Sequence, residues 1–84
     1  MSEQEQWLIV DDDLAFLQVL SRSLARQGIE AITASNHDSA LDALDAHNIR
    51  RCVLDLNLAG ESGLQLLPEL LDTNPDLDVL VLTG

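Results

Sequence analysis

The chain has 84 residues, with 15 acidic side chains, four arginines, no lysine and a formal net charge of −11. That length holds at most one domain, and its core is thin. Apolar residues make up 46% and aromatics 2%, which excludes a disordered acidic tail, while the scarcity of basic groups excludes a phosphate-gripping nucleic-acid surface on this segment.

Trp7-Leu8-Ile9-Val10 is a short apolar run that stops abruptly at Asp11-Asp12-Asp13, and it reads as a buried strand. Residues 14–27 have helical spacing, with Leu17, Leu20 and Leu24 on one stripe and Phe16 beside them. Asp12 or Asp13 caps the start, and Gly28 supplies the stop. Residues 29–33 form a second, weaker strand. Ser35 or Asn36 caps a second helix, whose stripe is Ala40, Leu41 and Leu44 and which ends near Asn48. Arg50-Arg51 read as a solvated turn before the third strand, Cys52-Val53-Leu54-Asp55-Leu56. That strand is apolar on both faces, as a central parallel strand should be. A loop over residues 57–61 leads to a third helix, with Ser62 as cap and Gln65 three residues on. Leu64, Leu67, Leu70 and Leu71 are expected to face inward, with Pro68 early in the helix. Asn74-Pro75 breaks it, and Val79-Leu80-Val81-Leu82 is a fourth strand before Thr83-Gly84. The order β-α-β-α-β-α-β predicts an α/β fold with a parallel sheet and right-handed crossovers.

Ligands of such sheets gather at the carboxyl ends of the strands. Those ends carry Asp11, Asp12 and Asp13 on strand one, Asp55 on strand three and Thr83 on strand four. Like charges this close raise one another's pKa, and a hard divalent cation relieves the conflict. Oxygen donors without His or Cys favour Mg²⁺ or Mn²⁺ over zinc. A Mg²⁺ ion is therefore expected between Asp11, Asp12 and Asp55. A carboxylate beside such an ion either coordinates it or attacks phosphorus as a nucleophile.

Leu8-Ile9-Val10-Asp11-Asp12-Asp13 resembles the opening of a receiver domain of two-component response regulators. Val53-Leu54-Asp55-Leu56-Asn57-Leu58, with Gly63 eight residues after Asp55, and Val81-Leu82-Thr83-Gly84 resemble later parts of the same domain, in order and with matching helices between. The resemblance runs from about Trp7 to the last residue. It implies a flavodoxin-like parallel sheet in order 2-1-3-4 with helices on both faces, in which residues 1–84 are the N-terminal part of a receiver domain. It implies that Asp55 is the phosphoacceptor, that Asp12 is the main Mg²⁺ ligand and Asp11 its acidic partner. It implies further that the Asn57 backbone carbonyl completes the metal shell, and that the Thr83 hydroxyl turns toward the phosphoryl group. Phosphate would come from a sensor histidine kinase or a small acyl phosphate, and the domain would signal rather than act as an enzyme.

Two departures bear on this. Many relatives have proline four residues after the phosphoacceptor; here it is Ala59, and Ala59-Gly60-Glu61-Ser62-Gly63 looks more like redox-responsive global regulators with a helix-turn-helix output domain. The chain also stops after the fourth strand, before the family's last helix–strand–helix segment and its essential lysine. This 84-residue form is accordingly expected to be impaired in phosphotransfer, and to self-associate through the exposed fourth strand.

The remaining features have simpler readings. Cys52 alone forms no internal disulfide and reads as core packing in a reducing compartment. His37 and His47 are too far apart for a common metal motif. Residues 1–6 are polar and acidic, without a signal-peptide pattern, and no run approaches the ~18 apolar residues of a membrane span. A cytoplasmic setting without membrane contact is expected. Two rival functions remain: an interaction module bound without phosphotransfer, and an aspartyl-nucleophile phosphatase, whose paired acids Asp11 and Asp13 fit but whose lysine is missing.

Overall fold

The computed structural model describes residues 4–58 and 61–82, with the backbone alone described at Asn57, Glu61 and Ser62. In chain order the elements are β1 (Glu5–Val10), α1 (Leu14–Ala25), β2 (Ile29–Ala34), α2 (His37–Ala46), β3 (Ile49–Asp55), β4 (Asn57–Leu58), β5 (Glu61–Ser62), α3 (Gly63–Thr73) and β6 (Asp78–Leu82). The main sheet is parallel in order β2-β1-β3-β6, which is the expected 2-1-3-4 with β6 as the fourth main strand. A second, two-residue antiparallel ladder joins β4 to β5 inside the loop after β3, where the sequence suggested only loop.

Local chemistry sets the helix ends. Asp13 is the cap of α1, its Oδ1 accepting the Phe16 amide at 3.1 Å. Gly28 follows with φ +80°, a left-handed conformation that costs glycine nothing. At α2 the cap is Asn36, in a reciprocal box with Ser39. The Ser39 amide donates to Asn36 Oδ1 at 2.8 Å, and the Asn36 amide donates to Ser39 Oγ at 3.3 Å. Ser62 as a cap of α3 lies outside what is described of side chains.

The sheet separates two apolar layers. On one face α2 and α3 cover Leu8, Val10, Cys52 and Leu54, with Leu58, Leu66 and Leu70 completing the larger core. On the other face α1 covers Ile9 and Val53 with Leu17 and Leu24. Alternation along each strand produces this division, since successive side chains point to opposite faces.

Two sequence expectations are corrected. Arg50 and Arg51 do not form a turn; β3 begins at buried Ile49 and runs through them. Arg51 pairs in register with Trp7 and with Asp78, so its guanidinium lies 4.9 Å from the Trp7 ring centroid and 3.0 Å from Asp78 Oδ2. On α3 the inward residues are Gly63, Leu66 and Leu70, whereas Leu64 is 59% and Leu71 37% exposed. The leucines span a wide arc of this helix, opposite Gln65, Glu69 and Asp72, so their spacing alone does not say which part of the arc meets the sheet. The approach of Gly63 to β3 fixes the rotation, and residues three and seven positions later then face the sheet.

Candidate functional site

Strands β1 and β3 lie side by side, with Val10 opposite Leu54. The next residue on each, Asp11 and Asp55, therefore meets its neighbour at the carboxyl edge of the sheet. The Asp11 amide donates to the Ala34 carbonyl at 3.0 Å, which carries the ladder to β2 one residue past the strand. Asp11 is buried, Asp12 exposed and Asp55 half-buried, and one carboxylate oxygen from each falls within 4.8 Å of the others. Among the described residues this is the one cluster of three acidic, histidine or cysteine side chains so gathered.

Asp11 is the strained member. Burial raises its pKa above the ordinary carboxylate range. The Asp13 amide, donating to Asp11 Oδ1 at 2.9 Å, opposes that shift, and the charges of Asp55, Asp12 and Asp13 add to it. The same amide fixes one oxygen of Asp11. Three hard oxygen donors, one of them partly desolvated, fit a small divalent cation of the Mg²⁺ type better than any softer metal.

The rest of the expected site is arranged around these acids. Asn57 lies in β4, two residues past Asp55, its strand paired with Ser62. Thr83 lies outside the described residues. Its neighbour Leu82 accepts the Leu56 amide at 3.3 Å, so the end of β6 is tied to the residue after Asp55. Cys52 is fully buried in the larger core, and burial pushes its thiol up to about 12, as suits an inert packing residue. His37 opens α2 and His47 caps its far end, and neither belongs to the acidic cluster.

Sequence reasoning named two supports of the site only as parts of a motif and gave them no role. Leu58, in the loop beyond Asp55, is 1% exposed and anchors that loop in the larger core. Gly63 donates its amide to the Leu56 carbonyl at 3.0 Å, and a Cβ there would meet the Asp55 carbonyl oxygen. Its position at a strand–loop–helix junction was the available signal.

Sheet order and acidic edge together define a doubly wound α/β module with a carboxylate cluster at its strand ends. Residues 7–84 match the family described as Response regulator receiver domain, and the chain belongs to that family. Receiver domains are signalling modules of two-component response regulators.

The chain is 34% identical over 77 residues to the heme response regulator HssR of Staphylococcus epidermidis, covering 92% of this chain and 34% of HssR. It is 32% identical over 84 residues to the photosynthetic apparatus regulatory protein RegA of Rhodovulum sulfidophilum, covering 100% of this chain and 46% of RegA. The chain thus spans a third to under half of these relatives. A Burkholderia pseudomallei response regulator, solved with a phosphorylated aspartic acid, calcium ion and citrate, matches at TM-score 0.90 and 39% identity over 95% of this chain and 47% of that one. TrrA of Thermotoga maritima in complex with Mg²⁺-BeF matches at TM-score 0.84 and 30% identity, over 94% of this chain and 69% of that one. A second structure, of the histidine kinase ThkA in complex with TrrA, matches at TM-score 0.85 and 30% identity over 95% of this chain and 69% of that one. Among the described residues, no helix is long and apolar enough to cross a membrane.

Proposed function

We propose that Asp55 of this receiver accepts a phosphoryl group beside a Mg²⁺ ion held by Asp11, Asp12, Asp55 and the Asn57 backbone carbonyl. The observation that carries this is the meeting of three carboxylate oxygens within 4.8 Å at the carboxyl edge of a parallel sheet. When bound, the cation neutralises the oxygens of the incoming phosphoryl group. An Asp55 carboxylate oxygen forms the new bond to phosphorus as the bond to the donor breaks, the electron pair leaving with the donor. Asp11, pinned by the Asp13 amide, keeps its place while Asp55 reacts. The Thr83 hydroxyl, one residue past the β6 end, contacts the transferred group.

The donor is a sensor histidine kinase or a small acyl phosphate, a reading supported by the ThkA–TrrA complex of a relative. The chain is a signalling module rather than an enzyme with a released product, and its setting is the cytoplasm. Its 84 residues hold no lysine, so they offer the phosphoryl group no side-chain amine, and labelling of this chain by acetyl phosphate is expected to be slow. Taken by itself, the chain also pairs with a second copy through β6. That strand has one partner, β3, among the described residues, and Leu80 on it is 55% exposed. Light scattering that finds a monomer at high concentration counts against this pairing.

Isothermal titration with Mg²⁺ tests the site. The folded chain binds in the millimolar range or tighter, and Asp12→Asn or Asp55→Asn weakens binding by about tenfold or more. A folded chain that takes up no Mg²⁺ overturns the proposal.

A further inference from the structure

We infer that Gly63 is a positioning residue for Asp55, holding the phosphoacceptor carboxylate in register with Asp11 and Asp12 through a backbone contact that tolerates no side chain. This rests on the Mg²⁺ reading of the acidic edge given above.

Glycine is needed at this position for space, since its backbone is not in the left-handed region; Gly28 alone among the described residues has a positive φ. A Cβ on Gly63 would collide with the Asp55 carbonyl oxygen and come within 2.9 Å of Leu56 Cα. Both obstacles are backbone, which cannot swing aside as a side-chain tip can. The Gly63 amide also donates to the Leu56 carbonyl at 3.0 Å, so the contact is directed as well as close.

Neither side has room to yield independently. Behind Gly63, Leu66 and Leu70 are fully buried and hold α3 in the larger core. Beyond Asp55, the Leu56 amide is bonded to Leu82, and β3 is laddered to both β1 and β6. A side chain at residue 63 therefore drives the Asp55–Leu56 backbone away from the helix. Asp11 does not follow, because its own amide is bonded to Ala34 and its carboxylate to the Asp13 amide. The three oxygens then lose their common spacing.

The test is a double-mutant cycle read as Mg²⁺ affinity by titration on the folded 84-residue chain, with Leu44→Ala, in the core on α2, as a stability control. Gly63→Ala is expected to lower Mg²⁺ affinity about tenfold, as loss of a ligand's support does. In an Asp55→Asn background the further loss is expected to be much smaller, because most of the effect passes through Asp55. Leu44→Ala, though less stable, keeps its affinity within about twofold. In the unsubstituted chain, Mg²⁺ is expected to shift the Gly63 amide resonance and slow its hydrogen exchange, a reading that needs no variant to fold. Unchanged affinity in Gly63→Ala overturns the inference, as does an equal loss in both backgrounds. If Gly63→Ala does not fold, a Gly63 amide indifferent to bound Mg²⁺ overturns it. A folded wild-type chain without Mg²⁺ uptake overturns the metal reading and this inference together, whereas binding indifferent to Gly63 overturns this inference alone.

Discussion

The Leu56 amide donates to the Leu82 carbonyl at 3.3 Å, joining the residue after Asp55 to the last described residue of β6. The acidic edge and the end of the outer strand therefore move as one piece of backbone. Hydrogen exchange checks this directly. The Leu56 amide is expected to exchange at the rate of the β6 amides and not with the loop that follows it. Fast exchange at Leu56 beside slow exchange in β6 would contradict the coupling.

Asp11→Asn is expected to raise the stability of the metal-free chain. The substitution removes a carboxylate whose charged form is disfavoured by burial and by Asp55, Asp12 and Asp13. For a carboxylate with a raised folded pKa, the folded state binds more protons than the unfolded state between the two pKa values, so stability falls as pH rises through that interval. Above both pKa values the cost is fully present. Urea unfolding should show the variant ahead without Mg²⁺, and the lead should shrink as Mg²⁺ is added to both proteins. A variant less stable than wild type in chelator would refute this.

Cys52 is expected to be silent to thiol reagents until the chain opens. Burial moves its thiol from 9.0 up to about 12. Above the first of these values the unfolded thiol ionises while the folded one stays protonated, so the Cys52 contribution declines by about 1.4 kcal/mol per pH unit. The stability gap between wild type and Cys52→Ala should accordingly be constant at neutral pH and narrow as pH climbs toward the folded value. Rapid labelling of the native chain at neutral pH would show that the thiol is not enclosed.

Arg51→Ala is expected to redden and weaken Trp7 fluorescence with little loss of stability. The guanidinium covers the Trp7 ring, but Arg51 and Asp78 side chains are 44% and 65% exposed, so their pairing is screened by solvent. The loss should be about 1 kcal/mol or less. Because Trp7 is the chain's one tryptophan and it has no tyrosine, the change is read without overlap. An unchanged emission spectrum would show that the stack is not populated.

The four main strands and their order were legible because each apolar run is short and ends in a polar residue. Asp11, Asp12 and Asp55 were legible because parallel strands deliver their last residues to one edge, so placement follows from counting. The choice between Ser35 and Asn36 as cap was not legible. Both residue types accept the needed amide, and the reciprocal bond from Ser39 decides it. The rotation of α3 was hidden for a different reason. Leu64, Leu66, Leu67, Leu70 and Leu71 span a wide apolar arc opposite Gln65, Glu69 and Asp72, and which part of that arc meets the sheet is decided by the close approach of Gly63 to Asp55 and Leu56. Arg51 was misplaced because charged residues in a strand are rare unless something at the same level receives them. Trp7 and Asp78 do so here, and only the register reveals it.

The sheet divides unequal partners, with thirteen buried residues in the α2–α3 layer and four in the α1 layer among the described residues. Detaching α1 forfeits far less buried surface than detaching the whole opposite layer, so the α1 face is expected to open before that layer does. Asp13 caps that helix while its amide braces Asp11. The acidic edge thus lies on the seam between the looser and the firmer parts of the molecule. An ion bound there would act as a clasp, felt least in the deep leucine layer and most in the opening rate of the first helix.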